Sequence, residues 1–536
     1  MNEKASAAKG MFILSFAGII AKVMSVFYTP FLVSILGPVG YGAYAKTTEV
    51  FLFVYALSCM GAQPAVAKVV AEYTALQNPK GAVKVLKVAS RFYAVLGAIL
   101  GVAMIFSAGM LSVVAKSPQS KIGIMALGPC ILITSLLAVF RGFMQGKNDM
   151  TPIAVSQIFE QFLNVFISLL CAFILVQSSI ELGNAGAQIG TSVGALFACF
   201  YVIYCYDKKG YKEEALESRI PNRKIRNRRI LSKVIKYSIP ITLSAGLQNF
   251  GGVVDMLNVS SRLGVAGFTE EGANILYGQL SQYKTLYGVP LVIITAIGTT
   301  VLPSIAKSIV LKERKEAKRK ISYAFKMAFM IAIPSAVGLS MLSTEVYTSL
   351  YGNSNGSDIM MYGSIVLVLM SMTQIQSTVL QGINKLYYVL KTFCLGIVVK
   401  IIVNFLLVGI PEINIYGVII GNCLWHLIPA VLNHKKICST MMMRMPILRL
   451  TIKPIVASAA MAIAIYILKM PLSFIYRFVD LTRITAIPIT VILVSVGSFV
   501  YIYLIILMGG ITKRDIEGVS PKILKVIPRF MRIKLR

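Results

Sequence analysis

The chain has 536 residues, 57% of them apolar, with 53 Lys+Arg against 21 Asp+Glu and a formal net charge of +32. A mean hydropathy of +0.76 excludes an ordinary soluble domain. The positive charge is spread through loops along the whole chain instead of forming one patch or arm, which excludes nucleic acid as the partner.

The first residues carry Lys4 and Lys9 and lead straight into an apolar run over 11–36. That run is longer than a signal-peptide core and no small-x-small cleavage pattern follows it, so it reads as a retained first span. Further stretches of spanning length fall at 41–60, 85–114, 122–143, 152–176 and 185–206. A second series falls at 234–260, 273–305, 321–342, 359–380, 387–410 and 415–432, and a last pair at 447–468 and 484–508. Alternate loops hold about 43 Lys+Arg, against about six on the opposite side. This places the crowded loops and both termini in the cytoplasm.

The expected fold is therefore an all-α polytopic membrane protein of about 14 transmembrane helices. Its expected parts are a six-helix lobe over 1–206, a basic cytoplasmic linker over 207–233, a second six-helix lobe over 234–436, a helix pair over 437–508 and a basic cytoplasmic tail over 509–536. The linker contains RIPNRKIRNRR, which reads as a solvated positive-inside loop, with contact to anionic lipid headgroups as the alternative. The tail SPKILKVIPRFMRIKLR mixes basic and apolar residues in a way that suits the inner leaflet surface. QGKNDM at 145–150 answers QGINKL at 381–386, and GAQIG at 186–190 answers GVIIG at 417–421. Each motif takes the same ordinal place in its half. Six spans is an even number, so the halves are expected as parallel repeats with a cavity between them.

Charges inside spans are costly, so they are the candidates for function. They are Lys22, Lys46, Glu49, Glu160, Asp255, Lys284 and Lys400, with Arg262 at the outer end of the seventh span. Lys22, Lys46, Lys284 and Arg262 would give a cavity wall a cationic character that suits a polyanion such as a diphosphate. The alternative is internal pairing: Glu49 lies three residues after Lys46 on one helix face and is placed to neutralise it. Lys400 and Asn404 share a face at i, i+4, and Asp255 is the one acid of the seventh span. Asp255 is expected to pair with Lys400, a structural pair or a place where the lysine stands in for a coupling cation.

The eight cysteines form no C-x-x-C pair and mostly fall in apolar runs, and His426 and His434 lack the company of a zinc site. No metal, cofactor or catalytic constellation is expected: no P-loop, no Gly-rich dinucleotide turn and no long loop able to form an enzymatic domain.

Several segments resemble one family. LGPVGYGAY at 36–44 resembles the first outer turn of lipid-linked oligosaccharide flippases of the MOP superfamily. GAQPAVAKVVAEY at 61–73 and FRGFMQGKNDMTPIAVSQIFEQ at 140–161 are more specific, and look like the stage V sporulation protein B and MurJ-like lipid II flippase branch. The stretches at 277–306 and 381–407 fit the same branch. The resemblance implies alternating access and export of an undecaprenyl-diphosphate-linked precursor, lipid II first, across a bacterial cytoplasmic membrane. It implies diphosphate binding by cations on spans one, two and eight, with Lys22 and Lys284 as the matching residues, and a lipid-tail groove at the terminal pair. The implied partners are the lipid-linked glycan, membrane lipids and other cell-wall synthesis proteins, with the chain as a monomer. One departure is Tyr28-Thr29, where proteobacterial members carry an Arg-Asp pair. The rivals are a flippase for another lipid-linked glycan, a multidrug cation antiporter of the same superfamily, which needs an acidic cavity, and a membrane glycan polymerase, which needs an outer-facing acid in a sizeable loop.

Overall fold

A computed structural model describes residues 2–218, 226–475 and 482–510. The described residues form helices and short connections, with no strand among them. The chain opens with α1 (Asn2–Tyr55), α2 (Ala62–Ala75), α3 (Pro79–Val114), α4 (Lys121–Gly146), α5 (Thr151–Leu175), α6 (Ile180–Lys208) and α7 (Tyr211–Glu217). It continues through α8 (Asn227–Val265), α9 (Glu270–Val310), α10 (Arg314–Met341), α11 (Ser343–Tyr351), α12 (Ser357–Gly363) and α13 (Ile365–Gly382). It closes with α14 (Leu386–Leu407), α15 (Tyr416–Met441), α16 (Ile447–Ile475) and α17 (Arg483–Leu507).

Twelve helices among the described residues are long and apolar enough to cross a membrane. The first of them holds two of the expected spans, because α1 bends at Gly37, whose φ of 70° and ψ of 171° are not helical. That backbone conformation suits glycine alone, and Pro38 follows it. Helix α8 is 39 residues long but is too polar to count by hydropathy, since Asn249, Asp255, Asn258 and Arg262 interrupt it. With α1 taken as two spans and α8 as one more, the arrangement agrees with the expected number of about fourteen. Of the expected basic segments, 219–225 and 511–536 lie outside the described residues.

Caps and breaks set the helix ends. Asn78 accepts a hydrogen bond from the Gly81 amide at the start of α3, with Pro79 in the first turn. Ser179 accepts one from Leu182 at the start of α6, where Glu181 also favours the positive helix end. Between α1 and α2 runs one π-helical turn, Ala56–Met60. Gly61 ends it, and a Cβ there would stand 2.1 Å from Thr242 Oγ1 and 2.7 Å from the Ser238 carbonyl of α8. Only a residue without a side chain lets the two helices approach so closely.

The described residues form two compact units. One takes those of Met1–Thr285 and Leu386–Trp425, the other those of Leu286–Lys385 and His426–Arg536. In this division α8, the first part of α9, α14 and the first part of α15 fall with α1–α6, and α14 packs on α8. Buried charges, described below, link α8, α9 and α14 to one another and to α1 within the first unit. The first unit has a core of Val66, Val70, Leu86, Phe143, Ile153 and Val202. A second cluster joins α1 to α5 and α6 through Tyr28, Leu32, Leu36, Ala172 and Ala187. The second unit packs Met330 against Met461, Ile465, Leu493 and Tyr501. There the Tyr501 hydroxyl donates to the Met330 carbonyl at 2.8 Å, as a buried tyrosine requires.

Candidate functional site

The buried charges of the first unit gather around Asp255 on α8, whose side chain is 1% exposed. The Lys400 ammonium of α14, wholly buried, lies 2.9 Å from Asp255 Oδ1 and donates to the Gly251 carbonyl one helical turn earlier at 2.7 Å. Asn404, one turn further along α14, donates from Nδ2 to the same Oδ1 at 3.0 Å. The Lys284 ammonium of α9 takes the other oxygen, Oδ2, at 3.1 Å. Lys284 also donates to Glu49 Oε1 on α1 at 3.0 Å. Two ammonium groups and two carboxylates thus form one chain, Glu49–Lys284–Asp255–Lys400, with no net charge. Isolated, each ion would cost several kcal/mol in this setting, and mutual pairing with added hydrogen bonds offsets that cost.

The chain of charges has a sealed end and an accessible end. At the sealed end the Trp425 ring lies 4.3 Å from the Lys400 ammonium, a cation–π contact. Trp425 also presses on Gly251, where a Cβ would come within 2.3 Å of the indole. Asn404 packs on Gly421, where a Cβ would meet its Oδ1 at 2.0 Å. At the other end the side chains of Lys284 and Glu49 are 20% and 17% exposed. A Cβ on Gly252 would stand 1.9 Å from Glu49 Oε2, so that carboxylate rests directly on the α8 backbone.

Lys46 stands apart from this chain. It is wholly buried and donates to the Ala115 carbonyl at 3.0 Å and to Asn274 Oδ1 at 2.5 Å. Ala115 caps the C-terminal end of α3, where helix carbonyls favour a cation. The Tyr277 ring lies 5.7 Å from Lys46 and 6.0 Å from Lys284. The alternative of a local Lys46–Glu49 pair is not the one seen: Glu49 turns to α9, where it accepts from Lys284 at 3.0 Å. Lys22, on α1, is partly buried and has no carboxylate within ion-pair distance among the described residues. Arg262 stacks 4.1 Å from the Phe405 ring and lies against Gly409, where a Cβ would meet its guanidinium at 2.5 Å. Its buried Nε has no hydrogen-bond partner.

The structure thus brings Asp255, Lys400 and Asn404 together, joins Lys284 and Glu49 to them, and leaves Lys22, Lys46 and Arg262 separate. Glu160 of α5 pairs with Arg141 at 2.7 Å, and Arg141 Nε donates to Ser156 at 2.9 Å. Sequence reasoning missed Asn274, Tyr277 and Trp425. Trp425 is the single tryptophan of the chain, and that singularity within a span is the one signal the sequence offered, since its contact with Lys400 joins different helices. Among the described residues no group of three or more His, Cys, Asp or Glu side chains could hold a metal ion.

The second unit holds an apolar cavity of about 470 Å³. Pro290, Pro334, Gly338, Met461, Gly497 and Tyr501 line it, from α9, α10, α16 and α17. A charged pair, Lys469 with the buried Glu345 at 2.7 Å, joins α16 to α11 in the same unit.

Known proteins are similar to this one over most of the chain. "Lipid II flippase MurJ" of Bacillus subtilis (strain 168) is 24% identical over 519 residues, covering 92% of this chain and 94% of its own. The solved structure "Lipid II flippase MurJ, inward closed conformation" superposes with a TM-score of 0.63 at 15% identity, covering 93% of this chain and 97% of that one. An inward-facing multidrug resistance MATE family transporter of the MOP superfamily superposes with a TM-score of 0.63 at 18% identity, covering 78% of this chain and 95% of its own. The fold is that of these multi-pass membrane transporters. A profile of polysaccharide biosynthesis proteins matches residues 7–309, more than half of the sequence, and the chain belongs to that family.

Proposed function

We propose that the chain is a flippase that carries an undecaprenyl-diphosphate-linked cell-wall precursor, lipid II, from the inner to the outer leaflet of a bacterial cytoplasmic membrane by alternating access. The observation that carries this reading is the balance of charge within the spans of the first unit. Glu49, Asp255 and Glu160 each already hold a lysine or arginine at 2.7–3.1 Å. Among the described residues Lys22 and Lys46 have no carboxylate within ion-pair distance, and Lys46 donates to the Ala115 carbonyl and to Asn274. Cations in excess favour an anionic cargo. The same balance speaks against a multidrug cation antiporter, which needs a carboxylate free to receive a cation. The relative named as a lipid II flippase, aligned over nearly the full chain, supports lipid II as the first substrate to test.

Lys22 and Lys284 receive the diphosphate in this reading, and the glycan follows it. The prenyl chain stays in lipid, with the apolar cavity of the second unit as a place for part of it. Lys and Arg crowding on alternate loops supports cytoplasmic termini. A membrane potential positive outside then helps an anion leave, by about 2.3 kcal/mol per charge per 100 mV. The test is translocation of fluorescent lipid II in proteoliposomes containing the full chain. The reading predicts faster appearance of lipid II in the opposite leaflet than in protein-free vesicles, and loss of that rate in Lys22→Ala. A rate no greater than that of protein-free vesicles, with undecaprenyl-linked glycans of other kinds carried instead, would replace lipid II with another precursor.

A further inference from the structure

The substrate-facing role assigned to Lys284 meets an obstacle in this structure: two carboxylates already occupy it. The two are not equivalent. Asp255 retains Lys400 at 2.9 Å and Asn404 at 3.0 Å when Lys284 moves away, so its charge stays compensated. Glu49 has Lys284 as its one ion-pair partner among the described residues. Lys46, one turn earlier on α1, is held by Ala115 and Asn274 and gives Glu49 nothing. The exposure follows the same order. Lys284 and Glu49 are the accessible members of the chain, while Asp255 and Lys400 are sealed at 1% and 0%. An incoming phosphate therefore meets the Lys284–Glu49 contact first and competes with Glu49 for the same ammonium.

We propose that Glu49 is the stand-in anion of the empty transporter, holding Lys284 until a phosphate of the lipid headgroup takes its place and recapturing it once the headgroup leaves. This rests on the flippase reading above and extends it to a residue which does not itself bind substrate. Two consequences follow. Binding exchanges one anion for another on Lys284, so a neutral ligand has nothing to gain there. The return of the empty transporter carries a neutral cluster through a low-dielectric interior, where an uncompensated lysine would be costly. Removing the Glu49 charge then has opposite effects on two observables: substrate binds more tightly, and turnover slows. A residue that merely supports the fold would weaken both.

The experiment uses the full-length chain in detergent, titrated with farnesyl diphosphate and read by the fluorescence of Trp425, the single tryptophan, which touches Lys400 in the same cluster. Farnesol serves as the neutral comparison. Glu49→Gln is expected to bind farnesyl diphosphate about tenfold more tightly than the unmodified chain, with farnesol unchanged. Glu49→Asp is expected to stay near the unmodified value, and Lys284→Ala to lose most of the binding. In proteoliposomes the Glu49→Gln chain is expected to translocate lipid II more slowly despite its affinity. Gly252→Ala, whose methyl would fall on Glu49 Oε2, approaches the same state from α8 and is expected to tighten binding in the same direction, which keeps the test available if Glu49→Gln fails to fold. Equal or weaker diphosphate binding in the folded Glu49→Gln and Gly252→Ala chains, with Lys284→Ala still defective, overturns the stand-in role and leaves the flippase reading standing. No diphosphate binding by the unmodified chain or any variant overturns the flippase reading itself, and this inference with it.

Discussion

The two compact units differ in the sites they hold. The first threads charges through its spans, Lys22, Lys46, Glu49, Asp255, Lys284 and Lys400, and organises most of them around one aspartate. The second encloses an apolar cavity lined by Pro290, Pro334, Gly338, Met461, Gly497 and Tyr501. In the flippase reading proposed above, a charged headgroup and a hydrocarbon tail would use these two environments respectively. Within the first unit a finer contrast holds. Asp255–Lys400 is sealed, with Trp425 over the lysine, whereas Glu49–Lys284 is partly exposed, which is what the proposed exchange requires.

The largest effect that would break the contrast is expected at the sealed end. Asp255→Ala leaves Lys284 and Lys400 without their shared carboxylate and is expected to lower stability by about 3–5 kcal/mol. Thermal unfolding in nanodiscs measures it, and a loss below about 1 kcal/mol would show that the chain of ion pairs does not hold α8, α9 and α14 together. Filling the cavity of the second unit comes next. Gly338 has open space beside it, with Met461 Cε 4.0 Å from a Cβ built there. Gly338→Leu is expected to fold normally and to weaken binding of long-chain prenyl diphosphates by about tenfold, while inorganic diphosphate binding stays as it was. A titration with both ligands separates the outcomes, since an equal loss for both would place the headgroup and not the tail in that cavity.

The smallest effect is expected at an exposed cluster of the first unit, near the start of α8. Lys233 donates to Glu72 at 2.8 Å, Tyr237 donates to the same carboxylate at 3.2 Å, and Lys68 stacks on the Tyr237 ring at 3.8 Å. The hydrogen bond to Glu72 holds the Lys233 ammonium above the usual lysine range. A raised value in the folded state means a contribution present at neutral pH and lost only as pH climbs through the lysine range and beyond. Both side chains are substantially exposed, at 42% and 33%, so Lys233→Ala is expected to cost no more than about 1 kcal/mol. Unfolding measured at neutral and strongly alkaline pH should show this small difference vanish at the higher pH.

The helices were legible because long apolar runs admit few alternatives, and LGPVGYGAY marked the bend at Gly37. The Asp255–Lys400–Asn404 grouping was legible too, since one acid in a span and a lysine with an asparagine at i, i+4 leave little freedom. Lys284 with Glu49 was not legible. These residues are 235 apart in sequence and sit on different helices, and local spacing pointed Glu49 towards Lys46. Nor was the grouping of α8 and α14 with the first six spans, because it depends on which helices pack on one another rather than on the order of the spans. Lys46 shows the same limit: a fully buried lysine satisfied by a helix-end carbonyl and an asparagine has no signature in a linear pattern.

The central claim is that unpaired and exchangeable lysines in the spans receive a diphosphate-linked lipid. Rescue of a bacterium depleted of its own lipid II flippase tests it most directly, with the unmodified chain, Lys22→Ala and Lys284→Ala expressed at equal membrane levels. The account predicts growth with the unmodified chain and loss of viability with either variant. Growth restored equally well by both alanine variants would contradict it.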